Sequence, residues 1–231
     1  MSDKPIIFSA PMVRALLEER KTQTRRVLKE QNSIADAVII GGRYQWKSWK
    51  TGCILGDVAL PYAHGDRLYV REAWRAMDGQ DGFSGSQIAA QCLEAGYKRA
   101  WSPIQYEVDG VRDNWIADPY GFGTEPGRYR HARFMPRWAS RLTLTVKDVR
   151  VHRLQEISDS DCRAEGLPMK EVAGVTCWSE SQDGPWTPSE AVAFSHLWNS
   201  LHGPDAWGAN PWVCAISFTV HRGNIDQMVA A

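Results

Sequence analysis

The sequence has no two cysteines at CxxC spacing, and its five cysteines (Cys53, Cys92, Cys162, Cys177 and Cys214) lie far apart. That pattern argues against a disulfide framework and a structural zinc site, and it suits a reducing compartment. No run approaches the ~18 apolar residues of a membrane-crossing helix, and the N-terminus lacks an apolar signal core. The expectation is a soluble, cytoplasmic protein with no membrane partner. Net charge is missing too, because 27 Lys and Arg balance 27 Asp and Glu. Any surface that attracts nucleic acid must therefore be local. There is no P-loop, no GxGxxG after a strand, no HExxH and no GxSxG. The histidines (His64, His131, His152, His196, His202 and His221) show no metal-ligand spacing, so no metal and no other cofactor is expected.

Tryptophan is plentiful, at 11 residues. Most should serve the core, where a large apolar ring gains most from burial, and a minority are candidate base-stacking platforms. The length leaves room for one large domain, or one domain with sizeable insertions, and a proper core.

Along the chain, Pro5–Phe8 reads as a short strand. Ser9 can then cap a helix carrying Pro11 in its first turn and ending near Arg20. Residues 28–60 are punctuated by Gly41-Gly42, Gly52 and Gly56 and read as hairpins or loops. Asp66–Trp74 is a strong strand with Leu68, Val70, Glu72 and Trp74 on one face. Residues 76–135 are Gly- and aromatic-rich and resemble an insertion, with a short helix over Gln87–Gly96 and strands over Pro103–Val108 and Asn114–Ile116. Leu142, Leu144 and Val146 alternate, and Val149 and Val151 alternate in the opposite phase, which predicts a bulge near Lys147-Asp148. Ser158 caps a helix over Asp159–Glu165 closed by Gly166. Thr187-Pro188-Ser189-Glu190 reads as a capping box that opens a helix stopped by Gly203. Trp212–Val220 alternates as a last strand, and the tail after Gly223 should fray. Short strands and few helices, with no strand–helix rhythm, point to α+β or a small, mostly antiparallel barrel with helices at its ends.

Three polar clusters bear on chemistry. Arg20-Lys21-Thr22-Gln23-Thr24-Arg25-Arg26 places a lysine three residues before a threonine. A desolvated lysine can take the proton of a hydroxyl nucleophile, although the same spacing is an ordinary basic turn. Glu165 ends a helix, where the dipole disfavours an acid, so it is either an exposed glutamate or one with another duty. Glu72 on an apolar strand face either looks into a pocket or pairs with an arginine. A fourth stretch, residues 128–141, interleaves Arg130, Arg133 and Arg137 with rings such as Trp138. That suits single-stranded nucleic acid, RNA in the binding-module reading below, and it equally suits a solvated loop.

Glu19-Arg20-Lys21-Thr22-Gln23-Thr24-Arg25-Arg26 resembles the GRKTxTxR signature of ASCH-domain proteins, members of the PUA-like superfamily. Gly65–Glu72 is similar to their "GD then strand" element, Leu154–Gly166 to their helix ending in Glu-Gly, and Asn210–Val213 to a closing strand of phage and prophage versions. Glu19 departs from the signature, which often has glycine there. The resemblance implies a single domain over residues 1–231, a small PUA-like β-barrel with flanking short helices and a long insertion at about 76–135. It also implies a modified nucleoside or RNA as ligand. In members that hydrolyse N(4)-acetylcytidine, the catalytic lysine, threonine and glutamate fall on Lys21, Thr24 and Glu165. In such a mechanism Arg26 or backbone N–H groups are candidates for stabilising the oxyanion, and Glu72 and Trp74 for lining the pocket. The expected function is an amidohydrolase that removes an acyl group from the exocyclic amine of a cytosine nucleoside. The alternatives are a non-catalytic RNA-binding module and a phage accessory protein that binds a protein partner.

Overall fold

The computed structural model describes residues 2–115 and 125–228. The fold is mixed α+β, built mostly of strands in several largely antiparallel sheets with few helices. It divides into two compact units, one made of Met1–Leu17, Asp66–Thr145 and Val220–Ala231, the other of Glu18–Gly65 and Val146–Thr219.

In chain order, β1 (Asp3–Ile7) leads into α1 (Ala10–Leu17), which buries Val13, Ala15 and Leu16. The helix stops three residues short of Arg20 because Glu19 takes a left-handed φ of 59°, a conformation costly for a side chain with Cβ. Then follow β2 (Gln23–Val27), β3 (Ala35–Ile40), β4 (Arg43–Ser48) and β5 (Ile54–Asp57). Gly41 and Gly42, with φ of 58° and 78°, form the two-residue turn between β3 and β4, whose last pair is Ile40 with Arg43. Two consecutive positive φ values are what such a hairpin demands.

Next come β6 (Arg67–Arg71) and β7 (Trp74–Ala76), so the single strand expected over 66–74 is broken at Glu72-Ala73. After α2 (Gly85–Glu94) lie β8 (Ile104–Tyr106) and β9 (Arg112–Asp113). The strand expected at 114–116 is thus displaced to 112–113, and Ile116 lies outside the described residues. The long β10 (Leu142–Arg153) carries two successive exposed residues, Lys147 and Asp148, where the alternation changes phase. Beyond it are α3 (Asp159–Ala164), β11 (Met169–Val172), β12 (Val175–Trp178), α4 (Glu190–His202) and β13 (Trp212–Arg222).

The cap of α4 is Ser189, not Thr187. Thr187 exchanges backbone hydrogen bonds with Trp178 (2.8 and 2.9 Å), which holds it extended, so the helix begins only beyond it.

In the first unit β6 lies between β1, parallel to it, and the start of β10, antiparallel to it, while β7, β8 and β9 form a second sheet. Trp74, Ile88, Ile104, Tyr106 and Met135 share one buried cluster there. In the second unit β13 pairs antiparallel with β2 and neighbours β10. Its core joins Leu154, Cys162, Ala193, Phe194, Trp198 and Val213. Both faces of β13 are buried over Trp212–Ile216, so it reads as a near-continuous apolar run. The strand orders are open ones among the described residues.

The tail departs from the fraying expected of it. Asn224 and Ile225 are buried, and the Asn224 side-chain amide donates to the carbonyls of Arg137 (2.8 Å), Trp138 (3.2 Å) and Ser140 (2.8 Å). Carbonyls left unpaired in a buried place are costly, so the tail is held by necessity. Asn224→Ala should destabilise the protein by about 2 kcal/mol, read as a lower urea midpoint, whereas a frayed tail would show no change.

Candidate functional site

The second unit contains a buried polar network centred on Lys21 and Glu165. Its backbone frame is a short antiparallel bridge between Lys21 and Glu165, where Thr22 N–H donates to Ala164 C=O at 2.9 Å. Arg20 also donates to the Gly166 carbonyl. The bridge forms because α3 ends there. Ser158 caps its start by accepting from Asp161 N–H, Glu165 is its last αR residue, and Gly166 turns the chain at φ 88°.

Lys21 is 0 % exposed and Glu165 is 4 % exposed. The Lys21 ammonium donates to Glu165 Oε2 at 2.7 Å and to the Glu165 backbone carbonyl at 2.9 Å. The other carboxylate oxygen, Oε1, accepts from Arg25 Nη1 at 2.9 Å. Arg25, itself buried, also donates to Gln23 Oε1 (2.7 Å) and to Asp161 Oδ2 (2.9 Å). Asp161 is further held by Arg150 Nη2 at 2.9 and 3.0 Å and by Gln23 Nε2 at 3.2 Å. Both oxygens of each carboxylate are thus occupied by donors.

Burial is the main force on the Lys21 amine and lowers its pKa. Glu165 opposes that shift, while Arg26 and Arg25 add to it. Burial pushes the Asp161 carboxyl upward, but the bond from Arg150 and the charge of Arg25 outweigh it and hold the pKa below the usual range.

The strand's alternation explains which side chains join. Gln23 and Arg25 of β2 lie opposite Ser217 and Ala215 of β13 and reach α3. Thr24 and Arg26 lie opposite Ile216 and Cys214, on the other face. Thr24 is buried at 1 % exposure, and its hydroxyl has no hydrogen-bond partner among the described residues. Arg26 is half-buried, and burial lowers its pKa against the opposing influence of Tyr62. On the same face, burial pushes the Cys214 thiol up to about 11.

Of the residues singled out in the sequence, the structure therefore joins Lys21 directly to Glu165, and it sets Thr24 and Arg26 together on one face of β2. Glu72 and Trp74 belong to the first unit. Glu72 is buried in a two-pronged pair with Arg141, at 2.9 Å to each oxygen, the arginine-paired alternative for this acid. Burial raises its pKa, with Arg141 opposing. Trp74 is a core residue beneath the Arg130 guanidinium, 5.1 Å from its ring centroid.

The basic stretch is partly turned inward. Arg130 is buried and donates to the carbonyls of Phe83 (2.7 Å) and Gln80 (2.8 Å). Arg137 pairs with Asp3 and Asp226, and Trp138 donates to Gly85 C=O at 3.1 Å. Arg133 is exposed over Phe134.

Three members of the network, Gln23, Arg25 and Asp161, were not singled out in the sequence. Their signal was present: Gln23 and Arg25 alternate at strand spacing, and Asp161 and Glu165 lie four apart on one helical face. Among the described residues no group of three or more His, Cys, Asp or Glu is placed to hold a metal, and no helix is long and apolar enough to cross a membrane. The chain matches no known family, no curated protein and no solved structure.

Two stability predictions follow from this geometry. Glu165→Ala leaves Lys21 and Arg25 buried without their shared counter-charge and should cost about 3–5 kcal/mol in urea unfolding. Replacing Lys21 by Met removes a group whose folded pKa lies below its ordinary 10.5. In that interval the unfolded chain binds more protons than the native one, so Lys21 makes stability rise with pH up to 10.5. A plot of stability against alkaline pH should therefore rise less steeply in Lys21→Met than in the natural sequence.

Proposed function

We propose that the protein is an amidohydrolase that removes an acyl group from the exocyclic amine of a cytosine nucleoside, of the N(4)-acetylcytidine kind. The observation that carries this reading is Lys21, a fully buried lysine whose pKa is lowered by burial and whose ammonium is held by Glu165. A lysine with a depressed pKa has more of the neutral amine at working pH, which is what a general base requires. The reading carries with it the ASCH resemblance of residues 19–26 and the PUA-like barrel that the resemblance implies.

In this mechanism neutral Lys21 takes the proton of Thr24 once substrate binding brings the two side chains within reach, because in the free protein the Lys21 amine is held by Glu165. Thr24 Oγ1 attacks the amide carbonyl carbon and forms a tetrahedral oxyanion. Arg26, on the same face of β2 as Thr24, stabilises that negative charge. The C–N bond then breaks as the proton on Lys21 passes to the exocyclic nitrogen, which frees the amine and leaves an ester on Thr24. Water, deprotonated by the same lysine, cleaves the ester and restores the hydroxyl. Glu165 acts as a positioning residue, because its carboxylate fixes the amine while Arg25 fixes the carboxylate.

The test is release of cytidine and acetate from N(4)-acetylcytidine by purified protein. Lys21→Ala and Thr24→Ala should each lower kcat/KM by about 100-fold or more, and Thr24→Ser should retain part of the activity. The pH profile should show an acid limb with an apparent pKa below lysine's ordinary 10.5, because only the neutral amine accepts a proton. Absence of turnover, or turnover indifferent to both alanine variants, rejects the proposal.

A further inference from the structure

The first unit contains a cavity of about 570 Å³ whose walls include Tyr97, Trp101, Tyr106, Trp138, Arg141 and Asn224. That size falls within the ~300–1,000 Å³ usual for small-molecule sites. None of the residues assigned a catalytic role above lines it.

The polar groups of its floor are already committed. Tyr106 donates its hydroxyl to Ala139 C=O at 3.1 Å, and Ser140 donates to Leu142 C=O at 3.1 Å. The Asn224 amide serves three carbonyls, while its oxygen accepts from Asp226 N–H at 2.9 Å. Arg141 is clamped between Glu72 and Asp109 and stacks on the Tyr106 ring at 3.9 Å. The Trp138 indole is fixed by its bond to Gly85. A ligand entering this floor meets aromatic side chains and few free donors, in a site preorganised by its own hydrogen bonds.

The rim differs. Tyr97 and Trp101 meet edge to face at 5.4 Å, so Trp101 is braced and half-buried at the cavity wall. Lys98 and Arg99 lie beside them, exposed and without an ion-pair partner among the described residues. Two acids also reach the lining. Asp226 is already neutralised by Arg137 at 2.6 Å, while Asp113 uses one oxygen to accept from Asn114 N–H at 2.9 Å. The rim's unpaired charge is therefore two cations against one acid.

Aromatic walls within and free cations at the mouth select a particular chemistry. We infer that this cavity binds a planar aromatic ring that carries an anionic group, with the ring stacked on Trp101 and Trp138 and the anion directed to Lys98 and Arg99. Ring stacking supplies most of the affinity, and the exposed cations set the orientation and the preference for charge.

Two probe sets separate the possible sources of such a ligand. One is cytidine and adenosine 5′-monophosphates beside their uncharged nucleosides, and the other is an aromatic carboxylate, indole-3-acetate, beside indole. Tryptophan fluorescence quenching and calorimetry at low salt should show saturable binding of at least one anion, weaker binding of its uncharged partner, and loss of that preference as salt rises. The double substitution Lys98→Ala, Arg99→Ala should weaken the anion about tenfold and leave the neutral partner unchanged. Asp113→Asn should tighten the anion. Trp101→Ala should weaken both forms, with circular dichroism confirming the fold. Cytidine release by the Lys21 site is measured alongside and should not change in the double variant, which keeps this inference separable from the proposed activity. Preference for phosphates over the carboxylate identifies a nucleotide source, and the reverse identifies a small aromatic acid. No saturable binding of either anion at about 1 mM, or binding equal in the double variant and the natural sequence, overturns the inference.

Discussion

A lysine and a glutamate withdrawn together from water set the terms for the second unit. Removing either charge from solvent costs several kcal/mol, and the mutual attraction offsets that only when every remaining donor and acceptor is satisfied. Lys21 and Glu165 approach that condition through Arg25 on the second carboxylate oxygen and the Glu165 carbonyl on the ammonium, although Arg25 Nε itself is buried without a hydrogen-bond partner among the described residues. Arg25 then requires Asp161, and Asp161 is completed by Arg150 and Gln23. One pair therefore dictates the residue types at five further polar contacts. It also explains why α3 is so short: the helix ends where Glu165 must turn back to meet the chain entering β2.

That network lends the amidohydrolase reading its physical content. An amine kept from water and near two guanidinium groups is easier to deprotonate than a surface lysine. Glu165 opposes this, so the amine is tuned by competition and not by burial alone. The two faces of β2 then divide the labour. Gln23 and Arg25 maintain the charged interior, while Thr24 and Arg26 present a hydroxyl and a cation on the other face.

The first unit uses arginine differently. Arg141 is shared between Glu72 and Asp109, Arg67 between Asp3 and the Ile225 carbonyl, and Arg130 lies over Trp74. These guanidinium groups tie loops and tail to the sheets, and Arg141 is thereby committed where it lines the cavity. Lys98 and Arg99, which have no ion-pair partner among the described residues, stand out by contrast.

Local structure was largely legible in the sequence because it depends on neighbours along the chain. Pro11 in a first turn, Ser158 as a cap, Gly41-Gly42 as a hairpin and the alternation of β13 all act over a few residues. The Lys-x-x-Thr spacing and the misplaced acid at Glu165 were also visible, each as an isolated feature with a bland alternative. Whether Glu72 met a pocket or an arginine, which face of β2 carried Lys21's partners, and whether the tail frayed were settled by contacts between residues distant in sequence. Glu165 lies 144 residues from Lys21, Arg141 lies 69 from Glu72, and Asn224 lies 84 from Ser140. Periodicity tells which side of a strand a residue occupies, but burial and pairing depend on what the fold brings to that side. The sequence by itself determined most of the elements, several of their caps and the Lys21, Thr24 and Glu165 candidates, whereas the tertiary structure alone decided where strands broke and which charges were buried together, because both depend on contacts distant in sequence.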